Sequence, residues 1–167
     1  MPKLSASFLA GTGNTNKMKN YFVGLIALII ILFLGYHFWT VVNFDNIKYV
    51  KIAGQNIKVD LALTQSEQTQ GLSGRLNLNE NEGMLFVFTN LGKYPFWMKD
   101  MNFPIDIIWL GENMRVVYIK KNASPELYPE RYGPGENDGD VKYVLELVSG
   151  FSDKNSLKVG DSVSFGY

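Results

Sequence analysis

Between Tyr21 and Val42 the chain carries no Asp, Glu, Lys or Arg, and this run, YFVGLIALIIILFLGYHFWTVV, restricts what the sequence can become more than any other feature. About twenty such residues, at roughly 1.5 Å rise each, match a hydrocarbon core of about 30 Å. Tyr21 at one end and Tyr36, Phe38 and Trp39 at the other fall where interfacial aromatic belts are expected. A cleaved secretory signal would want a shorter apolar run followed by a small-residue site, whereas here VVNFDNIKYV follows, which favours an uncleaved signal anchor. Lys17 and Lys19 lie closer to the run than Lys48 and Lys51, so the reading is a single-pass membrane protein with a cytoplasmic N-terminus. Residues 1–20 then form a polar, disordered tail, 21–42 the transmembrane anchor, and 43–167 an extracytoplasmic β-rich domain.

The sixteen Lys and Arg residues balance sixteen Asp and Glu, which leaves no net field to attract nucleic acid. The chain has no cysteine, which removes disulfides, thiol nucleophiles and thiolate zinc sites together. Its one histidine, His37, sits near the end of the apolar run and is expected to snorkel to the interface, so the soluble part cannot assemble a Ser-His-Asp triad. Glu136, Asp138 and Asp140 allow a calcium reading, but their spacing and glycine placement do not match an EF-hand loop, and a solvated acidic turn is the expectation. No metal and no cofactor is therefore expected.

Beyond residue 45 the apolar pattern is mostly that of short strands. Ile47–Ile52 and Ile57–Leu63 flank Gly54-Gln55-Asn56, a hairpin signature. Thr64 with Glu67 three residues later predicts a capping box, with Gly71 or Gly74 closing a helix of about two turns. MLFVF, PFWM, PIDIIWL, MRVVYI, YVLELV and SVSF follow, with a second hairpin turn at Gly111-Glu112-Asn113, a short polar helix near Gly150–Asn155 and a last turn at Val159-Gly160-Asp161. The stretch from Asn122 to Asp140 is the one long irregular loop. The expected fold is mainly β (α+β): a compact β-barrel or sandwich of about eight strands with one or two short helices, preceded by one transmembrane helix.

Several of these residues fall into an ordered series: Gly71-Leu72-x-x-Arg75, Glu82-Gly83-Met84-Leu85-Phe86-x-Phe88, Phe96-Trp97-Met98-Lys99-Asp100-Met101, Pro104-Ile105-Asp106, Tyr143-Val144-Leu145-Glu146-Leu147, Gly150 and Gly160-Asp161. From about residue 57 to 167 the chain thereby resembles the prokaryotic family named domain of unknown function 192. The resemblance implies a β-rich domain, commonly exported or membrane-tethered, with no established reaction. Many members carry a cysteine in the loop before the Val-Leu-Glu-Leu strand; its absence here argues against any thiol-based role.

Two constellations invite a functional reading. Asp106 shares a strand face with Ile108 and Leu110, and Glu146 with Val144 and Val148, so each is a single carboxylate set among apolar neighbours and in need of a partner. Arg75, Lys99 and Arg115 are the available cations, Arg75 being preferred for its bidentate grip. The set is either a structural ion pair or a ligand-binding or acid/base cluster of Asp106, Glu146 and Arg75. In FWMKDM, Phe96 and Met98 face one way and Trp97 and Lys99 the other; Trp97 lines a groove with Trp109 or Tyr143, or else these aromatics are core. The candidate ligand-binding residues are thus Arg75, Trp97, Lys99, Asp106 and Glu146. The expected function is a membrane-anchored module outside the cytoplasm that binds a small molecule, an envelope polymer or a peptide and not nucleic acid; the competing reading is a hydrolase or lyase using Asp106 and Glu146 with Arg75.

Overall fold

The computed structural model describes residues 13–39 and 44–167, the side chains of 13–18 and 34–39 excepted. The chain divides into two compact units, Met1–Asn43 and Phe44–Tyr167. In the first, one helix, α1, spans Gly13–Trp39. It begins ahead of Tyr21 because the intervening Lys, Met and Asn residues include no proline to stop it, so residues 13–20 are helical where a polar tail is expected. Every side chain from Tyr21 through Leu32 is exposed, on all sides of the helix. Among the described residues no helix is long and apolar enough to cross a membrane. The side chains of the carboxyl-terminal part of the expected 21–42 span, His37 among them, lie outside the described residues, as do residues 1–12 of the expected tail.

The second unit opens with the predicted hairpin. Strand β1 (Tyr49–Ile52) returns as β2 (Gln55–Ala62) through Ala53 and Gly54, both in the left-handed region at φ 48° and 77°. That two-residue turn matches the twist of the paired strands, so Gln55 and Asn56, expected in the turn, already belong to β2. Helix α2 (Gln65–Gln70) crosses from β2 to the parallel strand β3 (Glu82–Gly92). Next come β4 (Phe96–Trp97), β5 (Ile105–Leu110), β6 (Val116–Ala123), β7 (Arg131–Tyr132), β8 (Val141–Val148), α3 (Phe151–Lys154) and β9 (Ser164–Gly166). The stretch 122–140 is less irregular than its composition suggests, since it holds a 3₁₀ turn at Pro125–Leu127 and β7, which pairs with β4 as a separate two-stranded ribbon. The helix expected near 150 forms as α3, yet it is not a polar surface helix, because Phe151 and Ser152 are buried.

The seven-stranded sheet runs β6-β5-β8-β3-β2-β1-β9 and is antiparallel except at β2 and β3. It curls into a half-barrel whose two edge regions meet at one end. There Arg115 bridges Ser162, Val116 N–H donates to Asp161 O at 2.9 Å, and Val163 N–H donates to Met114 O at 2.8 Å. Those bonds satisfy edge groups that would otherwise invite pairing with another chain.

Both faces of the sheet are covered. Odd positions of β8 and β3 (Tyr143, Leu145, Leu147, Leu85, Val87) join Val50, Ile57, Ile108, Leu110 and Phe151 in one cluster. Even positions (Val144, Met84, Phe86) join Ile107, Trp109, Leu72 and Met98 in the other. A sheet buried on both sides explains why β5 reads as a continuous apolar run rather than an alternating one.

Asp106 is the exception within β5, fully buried and on the first face. Its carboxylate accepts from three backbone amides: Asn122 at 2.9 Å, Gly150 at 3.2 Å and Ser152 at 2.8 Å. It therefore ties the end of β6 and the start of α3 to β5. Asp106→Asn leaves one acceptor oxygen and turns an amide donor toward N–H groups. It is expected to destabilise the fold by about 1–3 kcal/mol, read as a lower denaturant midpoint at unchanged slope; an unchanged midpoint would overturn the structural role.

Candidate functional site

The ground plan of the site begins at α2, whose six residues are too few to hold a helix by propensity alone. The predicted capping box is complete: Thr64 Oγ1 accepts from Glu67 N–H at 3.3 Å, and Glu67 Oε2 accepts from the N–H groups of Thr64 and Leu63 at 2.8 and 2.9 Å. These bonds hold the Glu67 carboxyl below its usual range, the backbone bond from Thr64 contributing most. Gln68 then fastens the helix to the sheet, its Nε2 donating to Val87 O at 2.9 Å and Ala62 O at 3.3 Å. Gly71, at φ 51°, ends the helix directly over the sheet, where an added Cβ would lie 3.4 Å from Phe86 Cζ and 4.0 Å from Glu146 Oε2.

Past Gly71 the chain is laced to the turn after β4. Gly74 N–H donates to Asp100 O at 2.9 Å, Ser73 Oγ to Lys99 O at 2.8 Å, and Asn102 Nδ2 to Arg75 O at 2.8 Å. On the other side Phe88 stacks on Tyr94 with centroids 3.6 Å apart, Phe96 stands edge-on to Phe86 at 4.8 Å, and Trp109 Nε1 donates to Tyr94 O at 2.7 Å. Between these walls opens a pocket of about 140 Å³, lined by Phe86, Phe88, Tyr94, Phe96 and Trp97 with Glu146 among them.

Glu146 is 5% exposed, and its Oε2 has no hydrogen-bond partner. The strand registers explain why. The row that crosses the sheet at Glu146 runs Asp60, Met84, Glu146, Ile107, Lys120. Its immediate neighbours are therefore buried and apolar, and the charges on the row stand two strands away, at roughly 10 Å. Arg75, the predicted partner, instead pairs with Asp60 at 2.8 Å, and both are substantially exposed. Burial pushes the Glu146 carboxyl up to about 8, opposed weakly by the charge of Arg75. At neutral pH it is mostly the protonated acid.

The predicted cluster is thus divided. Asp106 faces the opposite side of the sheet, with Leu147 rather than Glu146 across from it, and its charge is met by amides rather than by Arg75. No shared acid and base pair exists, which removes the hydrolase or lyase geometry built on Asp106 and Glu146. Lys99 is exposed and enters the architecture through its backbone carbonyl. Trp97 does line the pocket, but not with Trp109 or Tyr143, which are buried in core clusters on the two faces. Its neighbours are Tyr128, edge-on at 6.0 Å, and the Arg131 guanidinium, 4.8 Å from its ring centre, both supplied by the loop that carries β7.

Gln68, Gly71, Phe86, Phe88 and Tyr94 were not among the sequence candidates. The alternation of Phe86 and Phe88 in MLFVF is the one local sign of them, because it sets both on the face that Glu146 shares.

A larger hollow of about 280 Å³ beside α3 is less promising, since the charges at its edge, Lys154 and Glu80, satisfy each other at 2.7 Å. In the acidic loop, Lys93 Nζ donates to the carbonyls of Asp138 and Gly139 and lies 3.6 Å from Asp140, so an ammonium occupies the place considered for calcium. Among the described residues no group of three or more His, Asp or Glu side chains is placed to hold a metal ion.

The family model DUF192, described as Uncharacterized ACR, matches residues 48–165. Among solved structures, a protein of unknown function from Novosphingobium aromaticivorans is 32% identical over 71% of this chain and 84% of its own, with a TM-score of 0.65. A putative transcription regulator from Sinorhizobium meliloti is 27% identical over 70% of this chain and 90% of its own, with a TM-score of 0.63. No curated protein matches.

The raised Glu146 value makes a prediction about stability. Between the unfolded value near 4.5 and the folded value near 8 the folded state holds the proton more tightly, so stability present at pH 4 to 5 is lost as pH rises toward 8. Glu146→Gln, which cannot ionise, should flatten this segment and stabilise the fold relative to wild type at pH 8 to 9 by an amount on the order of a few kcal/mol at most, read as a higher melting midpoint there. Parallel pH profiles for wild type and variant would refute the buried-acid description.

Proposed function

The chain belongs to the DUF192 family, and we propose that this member is a membrane-anchored binding domain, exported from the cytoplasm, whose pocket beneath α2 takes a small ligand. The observation that carries the binding function is the unpartnered Oε2 of Glu146 inside that aromatic pocket. An unsatisfied buried carboxyl costs stability, whereas Met or Leu at the same position would pack against Met84 and Ile107 without that cost. A ligand that meets this oxygen offsets the cost, and perturbed acids in clefts are concentrated at such sites. The volume suits a single ring or a branched head group rather than a polymer, by comparison with the cavity of about 150 Å³ that holds benzene.

The anchor is supported by α1, whose residues from Tyr21 through Leu32 present apolar side chains in every direction. A helix apolar all round belongs inside a protein core or a bilayer. Lys17 and Lys19, just ahead of the apolar stretch that starts at Tyr21, favour a cytoplasmic start.

Two measurements test this reading. Full-length protein should remain with alkali-washed membranes while the fragment 44–167 stays in the supernatant as a cooperatively folding domain. Full-length protein in the aqueous supernatant would count against the anchor. In a thermal-shift screen of small aromatic and branched compounds against the full chain in maltoside micelles, ligands that raise the midpoint should lose their effect in Thr69→Trp, where an indole on α2 covers the pocket mouth. Hits indifferent to that substitution would place binding elsewhere.

A further inference from the structure

We infer that the pocket beneath α2 recognises an organic ammonium group, a compact cation seated against aromatic faces with the Glu146 carboxylate as its counter-ion. The inference rests on the ligand-binding reading above and specifies the chemistry of that site. Its lining contains one acidic group, Glu146, and no Lys, Arg or His. Anionic ligands therefore meet no counter-charge there. Five aromatic side chains contribute to the walls, and aromatic faces attract cations through their quadrupoles. Trp97 already serves this way on one face, holding the Arg131 guanidinium at 4.8 Å. The pocket volume of about 140 Å³ admits a trimethylammonium head but not a large ring system.

The ionisable groups on the elements around Glu146 leave this cation a place. Arg75, after α2, is held by Asp60 of β2 at 2.8 Å. Glu67 of α2 is spent in the capping box, Lys120 of β6 is held 4.3 Å from the Tyr132 ring centre, Tyr94 donates its hydroxyl to Asn90 O at 2.7 Å, and Lys99 is exposed.

Binding is an exchange of one cation for another. The Glu146 carboxylic acid gives up its proton to solvent, and the resulting carboxylate pairs with the incoming ammonium. One proton is released for each ligand bound. Because the acid ionises near pH 8, affinity should rise roughly tenfold from pH 6 to 7 and level off above about 8 to 9. A quaternary ligand does not titrate, so this dependence belongs to the protein.

The test is calorimetric titration of the full chain in maltoside micelles with choline and with 3,3-dimethylbutan-1-ol, its uncharged isostere, at matched ionic strength. Titrations at pH 6, 7 and 9 use two buffers of different ionisation enthalpy. The expected result is preference for choline at pH 9, the tenfold loss per unit below pH 8, release of about one proton at neutral pH, and loss of all three features in Glu146→Gln. Equal binding of the two compounds, or choline binding without proton release, overturns the ammonium inference but leaves a small-ligand pocket standing. If neither compound binds while other compounds act through the pocket, the inference alone fails; if nothing binds there, both readings fail.

Discussion

Strands β3, β5 and β8 are buried on both faces, and that double burial governs how every polar group in them must be handled. A sheet with one wet face can turn a carboxylate outward, but neither Asp106 nor Glu146 has that route. The two acids reach different solutions because they stand on opposite faces. Asp106 lies at the end of β5, close enough to the ends of β6 and β8 to gather three amide donors, and so stays bonded within the fold. Glu146 sits within the ladder, where neighbouring amides are already committed to strand pairing, and its remaining route is to keep its proton. One acid is thereby bonded into the architecture, while the other keeps an oxygen without a hydrogen-bond partner.

The cover of the second face is assembled from pieces that are individually weak. Helix α2 is short, β4 and β7 have two residues each, and the segments between them are loops. They hold together through side chains that reach backbone: Gln68 to two strands, Ser73 to Lys99, Asn102 to Arg75 and Trp109 to Tyr94. Covers built this way, from short elements with few residues each, generally open at lower free energy than the sheet beneath them, which is the property the proposed binding role would draw on.

What was readable in advance was local. The Thr64 and Glu67 capping box, both hairpins and the turn at Gly160 depend on residues within a few positions of one another. Strand alternation also correctly set Asp106 beside Ile108 and Leu110, and Trp97 opposite Met98. The contact between Asp106 and Glu146 depended instead on which strands are neighbours and in what register. A shift of a single residue puts Leu147, not Glu146, opposite Asp106 and sends the two acids to different faces. Arg75 was a reasonable partner by chemistry, but Asp60, exposed on β2, met it first. The pocket is not signalled by any one segment because its lining converges from β3, the connection at Tyr94, β4 and the end of α2, the aromatic residues coming from the first three.

In the sheet order, β1 lies between β2 and β9, so the first strand of the domain is completed by the last. Translation makes these strands more than a hundred residues apart, at residues 49 and 166. Until residues 164–166 have been made β1 waits with one edge open, and the contact between Arg115 and Ser162 that seals the curl also needs the last part of the domain. The domain is therefore vulnerable to strand exchange with neighbouring nascent copies until its final segment emerges, and it reaches its protected form in one late step rather than gradually.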